Sequence, residues 1–149
     1  MKRFAFRLER LLQLREAAEK ERARQLGEAL KDEEQRREAL RESQERLADA
    51  QDQLSSTPRE MSQAGTLRNL ELTVDALAGQ ARSLEDTHEQ SVERVEEERV
   101  RFEQARVARR VIERLREHRR EAWEVEVNRH EQGVNDEAGQ RAHGSRGDK

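Results

Sequence analysis

The fold is decided by the stretch LRNLELTVDALAGQARSLEDTHEQSVERVEEERVRFEQA, residues 67–105. Alternating steps of three and four residues trace one face of a helix through it, and nine of the twelve positions on that face are apolar. This pattern predicts a continuous seam for a partner helix. The predicted seam consists of Leu67, Leu70, Val74, Leu77, Ala81, Leu84, His88, Ser91, Val95, Glu98, Phe102 and Ala105.

The apolar pattern changes downstream of residue 105. Two successive spacings of three predict a local change in supercoil. The new stripe is expected at Ala108, Val111, Leu115, Ala122 and Val125. Residues 133–149 contain four Gly and no apolar stripe, which predicts a disordered polar tail.

The stretch upstream of the seam is also predicted to be a helix. Residues 4–55 contain no Pro and a single Gly. Leu40, Leu47 and Leu54 are spaced by seven, as in a heptad repeat. The residues between them are mostly strong helix formers, such as Glu, Arg, Gln and Ala.

A break separates the two helical patterns. Pro58 is incompatible with a helix interior, and Thr57, Pro58 and Glu60 resemble a fresh helix start. We therefore expect a short helix inside the connection, a break near Gly65, and Thr66 as the cap of the next helix.

The expected fold is an all-α, long antiparallel two-helix coiled-coil hairpin. It has a helix over about residues 4–55, a connection over about 56–66, a second helix over about 67–132 and the tail. Each helix alone would leave its apolar stripe in water, and the break favours folding back. An extended chain that dimerises remains the alternative.

Composition restricts the class of protein. Charged residues make up 42% of the chain and aromatic residues 3%, too little apolar volume for an ordinary globular core. There is no Cys, and no apolar run is long enough for a signal peptide or a membrane span. We therefore expect a cytoplasmic protein. The Phe and Leu residues of the N-terminal helix would allow weak association with a membrane surface at most.

Charge is unevenly distributed along the chain. Residues 1–15 carry a net charge of +4, residues 101–123 also +4, and residues 16–100 carry −9. In a hairpin that turns near residue 61, residue i lies opposite roughly 122 minus i, so the two basic blocks meet. This predicts a basic end that orients the hairpin on an acidic partner. The alternative is an Arg-rich helix face that is only solvated.

Motifs for catalysis and cofactor binding are missing from the sequence. It has no phosphate-binding Gly loop, no Gly-x-Ser-x-Gly motif and no Cys. A single Glu85-x-x-His88 pair falls short of a two-metal bundle site, and His88 is better explained as a polar seam residue. We expect no enzyme activity, no cofactor and no nucleic-acid binding. Trp123 either caps the seam or anchors a partner.

The opening FAFRLERLLQLRE, residues 4–16, resembles the start of the FliJ family of flagellar export proteins, and Leu67-Arg-Asn69 fits the same family. The resemblance covers essentially the whole chain and implies an antiparallel coiled coil. It also implies a soluble component of the flagellar type III export apparatus, peripherally associated with the cytoplasmic face of the membrane. Its implied partners are the ring of the export ATPase FliI, the linker of the export-gate protein FlhA, and export chaperones.

The resemblance also suggests binding residues. The candidate contacts with the ATPase ring are Arg7, Arg10, Arg109, Arg110 and Arg116, and those with the export gate are Leu70, Val74, Leu77 and Ala81. The last four are also seam positions, so burial in the hairpin core is the competing interpretation. Two other functions remain open: the equivalent stalk protein of a virulence-type secretion system, and a homodimeric structural coiled coil.

Overall fold

The computed structural model describes residues 3–60 and 63–144, with side chains described as far as residue 139. Two helices account for nearly all of them: α1, Glu9–Ser56, with 48 residues, and α2, Ala64–Gly144, with 81 residues. The described residues contain no strand. The expected all-α class is confirmed.

Helix α1 begins later than the sequence pattern suggested. Residues 3–8 precede it, and the Glu9 amide donates to the Phe6 carbonyl at 3.1 Å. An acidic residue in the first turn is favourable, because it faces the positive end of the helix dipole. Phe4 and Phe6 therefore lie outside the helix, where Phe6 is 9% exposed.

The connection also differs from the expected one. Residues 57–60 form a bend and a turn, while Met61 and Ser62, where a short helix would continue, lie outside the described residues. Helix α2 begins at Ala64, and the Thr66 amide donates to the Gln63 carbonyl at 2.9 Å. Because the Gln63 carbonyl accepts this first bond, Gly65 and Thr66 lie within the first turn of α2 rather than before it.

Helix α2 extends past residue 132, where the sequence-based boundary was placed, and reaches Gly144. Residues 133–139 are exposed, so the helix continues there without packing. Once a helix is nucleated, each added residue gains a backbone hydrogen bond, and isolated Gly residues are tolerated at a modest cost. The last part of the expected tail, residues 145–149, lies outside the described residues.

The chain divides into two compact units, each of which pairs a segment of α1 with a segment of α2. In the unit Lys20–Gln104, Glu33 contacts His88 and Arg36 reaches the carbonyl of Thr87. The second unit combines Met1–Glu19 with Ala105–Lys149. There, Phe4 contacts Trp123, Glu9 contacts Arg116 and Glu19 contacts Arg109. Rising numbers on α1 meet falling numbers on α2, so the pairing within each unit is antiparallel.

The seam predicted for residues 67–105 is confirmed: all twelve positions are buried or half-buried. On α1, Leu40, Leu47 and Leu54 are half-buried as well. Small residues occupy many of the most buried positions of both helices, which allows close approach of the backbones. The most buried residues are Leu12, Ala29, Ser43, Ala50, Ala81, Ser91, Val95 and Glu98.

The stripe expected downstream of Ala105 is partly wrong. Ala108 and Leu115 are half-buried, but Val111 is 60% exposed, Val125 is 51% exposed and Ala122 is also exposed. Arg109, Ile112 and Trp123 are half-buried instead, and they continue the alternating steps of three and four. Glu113 and Val127 are half-buried as well. Sequence reasoning missed this continuation because it required apolar seam residues, whereas the seam here includes a paired Arg.

Candidate partner-binding surfaces

All five arginines proposed as ring contacts belong to the unit formed by Met1–Glu19 and Ala105–Lys149. Arg7, Arg10 and Arg110 have exposed side chains. None of these three makes an ion pair with another described residue. Their guanidinium groups are therefore available to carboxylates of another molecule.

Arg109 occupies a different position. Its guanidinium forms ion pairs with Glu19 of α1 and Glu113 of α2, and its side chain is only 22% exposed. The hydrogen bond that Arg109 donates to the Glu19 carboxylate is the main cause that raises the pKa of Arg109 above its ordinary value. This arginine links the two helices of its unit and is not free for a partner.

Arg116 makes a second, looser link between the same helices. Its Nε lies 3.5 Å from a carboxylate oxygen of Glu9, and both side chains are more than 40% exposed. Continuing the seam by steps of three and four leads to both Arg109 and Arg116. That spacing is the signal that places both arginines on the face of α2 that meets α1.

The four residues proposed as gate contacts lie in the other unit. Leu70, Val74 and Leu77 are half-buried, and Ala81 is 8% exposed. These side chains thus pack in the hairpin seam. In the same part of α2, Leu72 is 58% exposed, and sequence reasoning did not single it out.

Aromatic packing joins the segment that precedes α1 to helix α2 in the unit of Met1–Glu19 and Ala105–Lys149, which we call the basic unit. The rings of Phe4 and Trp123 lie 5.8 Å apart between centroids, at an interplanar angle of 52°. This tilted geometry is favourable for aromatic pairs. Because Trp123 is half-buried against Phe4, the structure favours the interpretation of Trp123 as a seam-capping residue.

A polar layer crosses the seam in the unit Lys20–Gln104. His88 Nε2 lies 2.8 Å from a carboxylate oxygen of Glu33, and the two side chains are 21% and 17% exposed. Arg36 Nε donates to Asp32 at 2.9 Å, and another of its nitrogens reaches the Thr87 carbonyl at 3.5 Å. The described residues contain no His, Asp and Glu cluster suited to a metal ion.

Within the described ranges, neither helix has a segment that is apolar enough over a sufficient length to cross a bilayer.

These features define the class of protein: an antiparallel two-helix hairpin with exposed charged helix surfaces. The family model described as Flagellar FliJ protein matches residues 4–148. The chain therefore belongs to the FliJ family, and membership makes it a component of flagellar type III export. No curated protein and no solved structure was found to match it.

Proposed function

We propose that this protein is the stalk and adaptor of the flagellar export apparatus, and that it binds the ring of the export ATPase FliI through the basic unit. Family membership supports the flagellar system, because the matched family is described as flagellar. The observation that carries the ring contact is the exposure of Arg7, Arg10 and Arg110 on one unit, where none of them makes an ion pair with another described residue.

The basic residues divide into two roles in this proposal. Arg7, Arg10 and Arg110 contact acidic groups of the ATPase. Arg109 and Arg116 hold α1 and α2 together through Glu19 and Glu9, so that the surface residues are presented from a fixed hairpin. Charge attraction of this type accelerates association and orients the partners, and it weakens as salt is added.

Contact with the export gate FlhA is assigned to the start of α2. The candidate residues remain Leu70, Val74, Leu77 and Ala81. Because these side chains are buried or half-buried, the gate would have to contact their exposed edges or displace part of α1. Leu72, on the same helical stretch, is exposed and offers an apolar contact without such rearrangement.

The remaining parts of the proposal follow from the export role. The protein works on the cytoplasmic side, associates with the membrane only peripherally through the apparatus, and also meets export chaperones. It contributes binding and positioning rather than catalysis, and flagellum assembly and motility depend on it.

The decisive experiment is a titration of the cognate export ATPase with this protein at low salt. The wild type is expected to stimulate ATP hydrolysis, and the variant Arg7→Glu/Arg10→Glu/Arg110→Glu is expected to lose this effect. The matched control is Arg37→Glu/Arg68→Glu/Arg94→Glu, which changes charge equally at exposed positions of the other unit.

Arg109 is left intact in both variants, because its loss would disturb the hairpin itself. Equal stimulation by both variants would contradict the ring contact. Absence of binding by the wild type would remove the stalk function and leave an adaptor with a different partner.

A further inference from the structure

An open groove runs between the two helices of the unit Lys20–Gln104. The residues that line it are Leu30, Glu33, Val92, Glu93, Val95, Glu96 and Arg99. All of them belong to this one unit.

The floor of the groove is apolar on both helices. Leu30 directly follows buried Ala29, and Val92 directly follows buried Ser91, so each flanks the seam. They are 40% and 46% exposed. Positions that flank a two-helix seam are usually charged, because they face water. Apolar residues at two facing positions widen the apolar surface beyond what two helices cover, which suits packing of a third helix.

The rim of the groove is acidic. It carries Glu33, Glu93 and Glu96 against a single cation, Arg99. Glu33 is held by His88, whereas Glu93 and Glu96 are exposed and make no ion pair with another described residue. A helix that fills the groove would therefore gain from Lys or Arg beside its apolar stripe.

We propose that this groove, the Leu30–Val92 groove, binds a basic amphipathic α-helix of a partner protein. The apolar stripe of that helix covers Leu30 and Val92, and its cations face Glu93 and Glu96. The site has the opposite charge to the proposed ring contacts and lies in the other unit, so it does not depend on the proposed function.

The probe is a fluorescein-labelled synthetic helix of about 21 residues, long enough to be helical when bound. It has Leu at the i, i+3, i+4 and i+7 spacing and Lys at the flanking positions. Fluorescence anisotropy with the full chain is expected to detect binding that weakens with salt. A peptide with the same Leu positions and Glu at the flanks is expected to bind about tenfold more weakly, because the rim repels it.

Two sets of variants separate the floor from the rim. Leu30→Ser/Val92→Ser and Glu93→Lys/Glu96→Lys are each expected to weaken binding about tenfold. Two control variants are expected to bind as the wild type does. Leu14→Ser/Val107→Ser changes exposed apolar residues outside the groove, one on each helix. Glu71→Lys/Asp75→Lys repeats the charge change elsewhere on α2. Circular dichroism checks that every variant is folded.

The proposal is overturned if the groove variants bind the basic peptide as tightly as their controls, or if the acidic peptide binds equally well. Sedimentation analysis of the protein alone tests another occupant. Concentration-dependent dimers that disappear in Leu30→Ser/Val92→Ser would assign the groove to a second copy of the chain and would also overturn the proposal.

Discussion

Arg109 of α2 forms an ion pair with Glu19 of α1. Arg109 occupies a seam position that is usually apolar, so the ion pair joins the two helices there. Arg109 also binds Glu113, so its guanidinium is engaged on both helices. The pair explains why an arginine in a basic block can be structural while its neighbour Arg110 is exposed.

Removal of this pair is expected to loosen the hairpin. Arg109→Ala and Glu19→Ala should each lower the melting temperature, and the double variant should lose less than the sum, because both single changes break the same contact. Arg110→Ala, which changes the exposed neighbour, should melt as the wild type does. Thermal circular dichroism measures all four variants, and additive losses would show that the two residues act independently.

Leu12 provides the strongest test of the seam in α1. It is 2% exposed, whereas Leu14, two residues further on, is 61% exposed. We expect Leu12→Ala to lower the free energy of unfolding by about 2–4 kcal/mol, because it removes buried methylene groups and leaves a cavity. Leu14→Ala should change it by less than about 0.5 kcal/mol. Urea denaturation compares the two, and similar losses would contradict the observed packing of the first turns.

The contact between His88 and Glu33 should stabilise the hairpin by hydrogen bonding across the seam. His88→Ala leaves the half-buried Glu33 carboxylate without this partner, and we expect a loss of about 1 kcal/mol in the free energy of unfolding. His118→Ala is the matched control, because the His118 side chain is 85% exposed. Chemical denaturation near pH 7 measures both, and an equal effect of the two changes would exclude a role for the contact.

Trp123 offers a spectroscopic test of the aromatic contact, since it is the only Trp in the chain. Phe4→Ala should shift its fluorescence emission to longer wavelength, because the ring loses its cover and meets more water. It should also cost about 1 kcal/mol through loss of the aromatic pair. Arg3→Ala, at an exposed neighbouring position, should leave the spectrum unchanged. An unchanged spectrum in Phe4→Ala would show that the two rings are not in contact.

Acid should weaken one surface ion pair of α1. Hydrogen bonds from Arg41 lower the pKa of Glu38, so the folded state favours the ionised carboxylate. A depressed pKa stabilises the fold above the ordinary carboxyl pKa, and this contribution disappears as the pH falls through the lower pKa of the folded state. Glu38→Gln should lower the melting temperature slightly at pH 7 and not at all near pH 2. The effect is small because solvent screens the exposed pair.

The measurement is a series of thermal melts between pH 7 and pH 2, with Glu34→Gln as the control, an exposed acidic residue of the same helix without an ion pair among the described residues. A difference between wild type and Glu38→Gln that persists in acid would show that the charge is not its origin.

The sequence by itself determined the fold class and the seam up to residue 105. The reason is that helical periodicity and helix-breaking residues are local properties: twelve positions in steps of three and four all became buried or half-buried. Pro58 likewise predicted the position of the connection between α1 and α2, because the restriction that Pro imposes on the backbone is a local property. The opening residues 4–16 determined the family, which the match over residues 4–148 confirms.

Only the tertiary structure decided which charged and apolar residues are available to partners. Arg109 and Arg110 are adjacent and chemically identical, yet only the register of α1 against α2 places Glu19 beside the first and leaves the second in solvent. The Leu30–Val92 groove likewise depends on which residues face each other across the seam. The register of the two helices depends on many contacts between segments that are distant in the sequence. The spacing of residues within one helix therefore does not determine it.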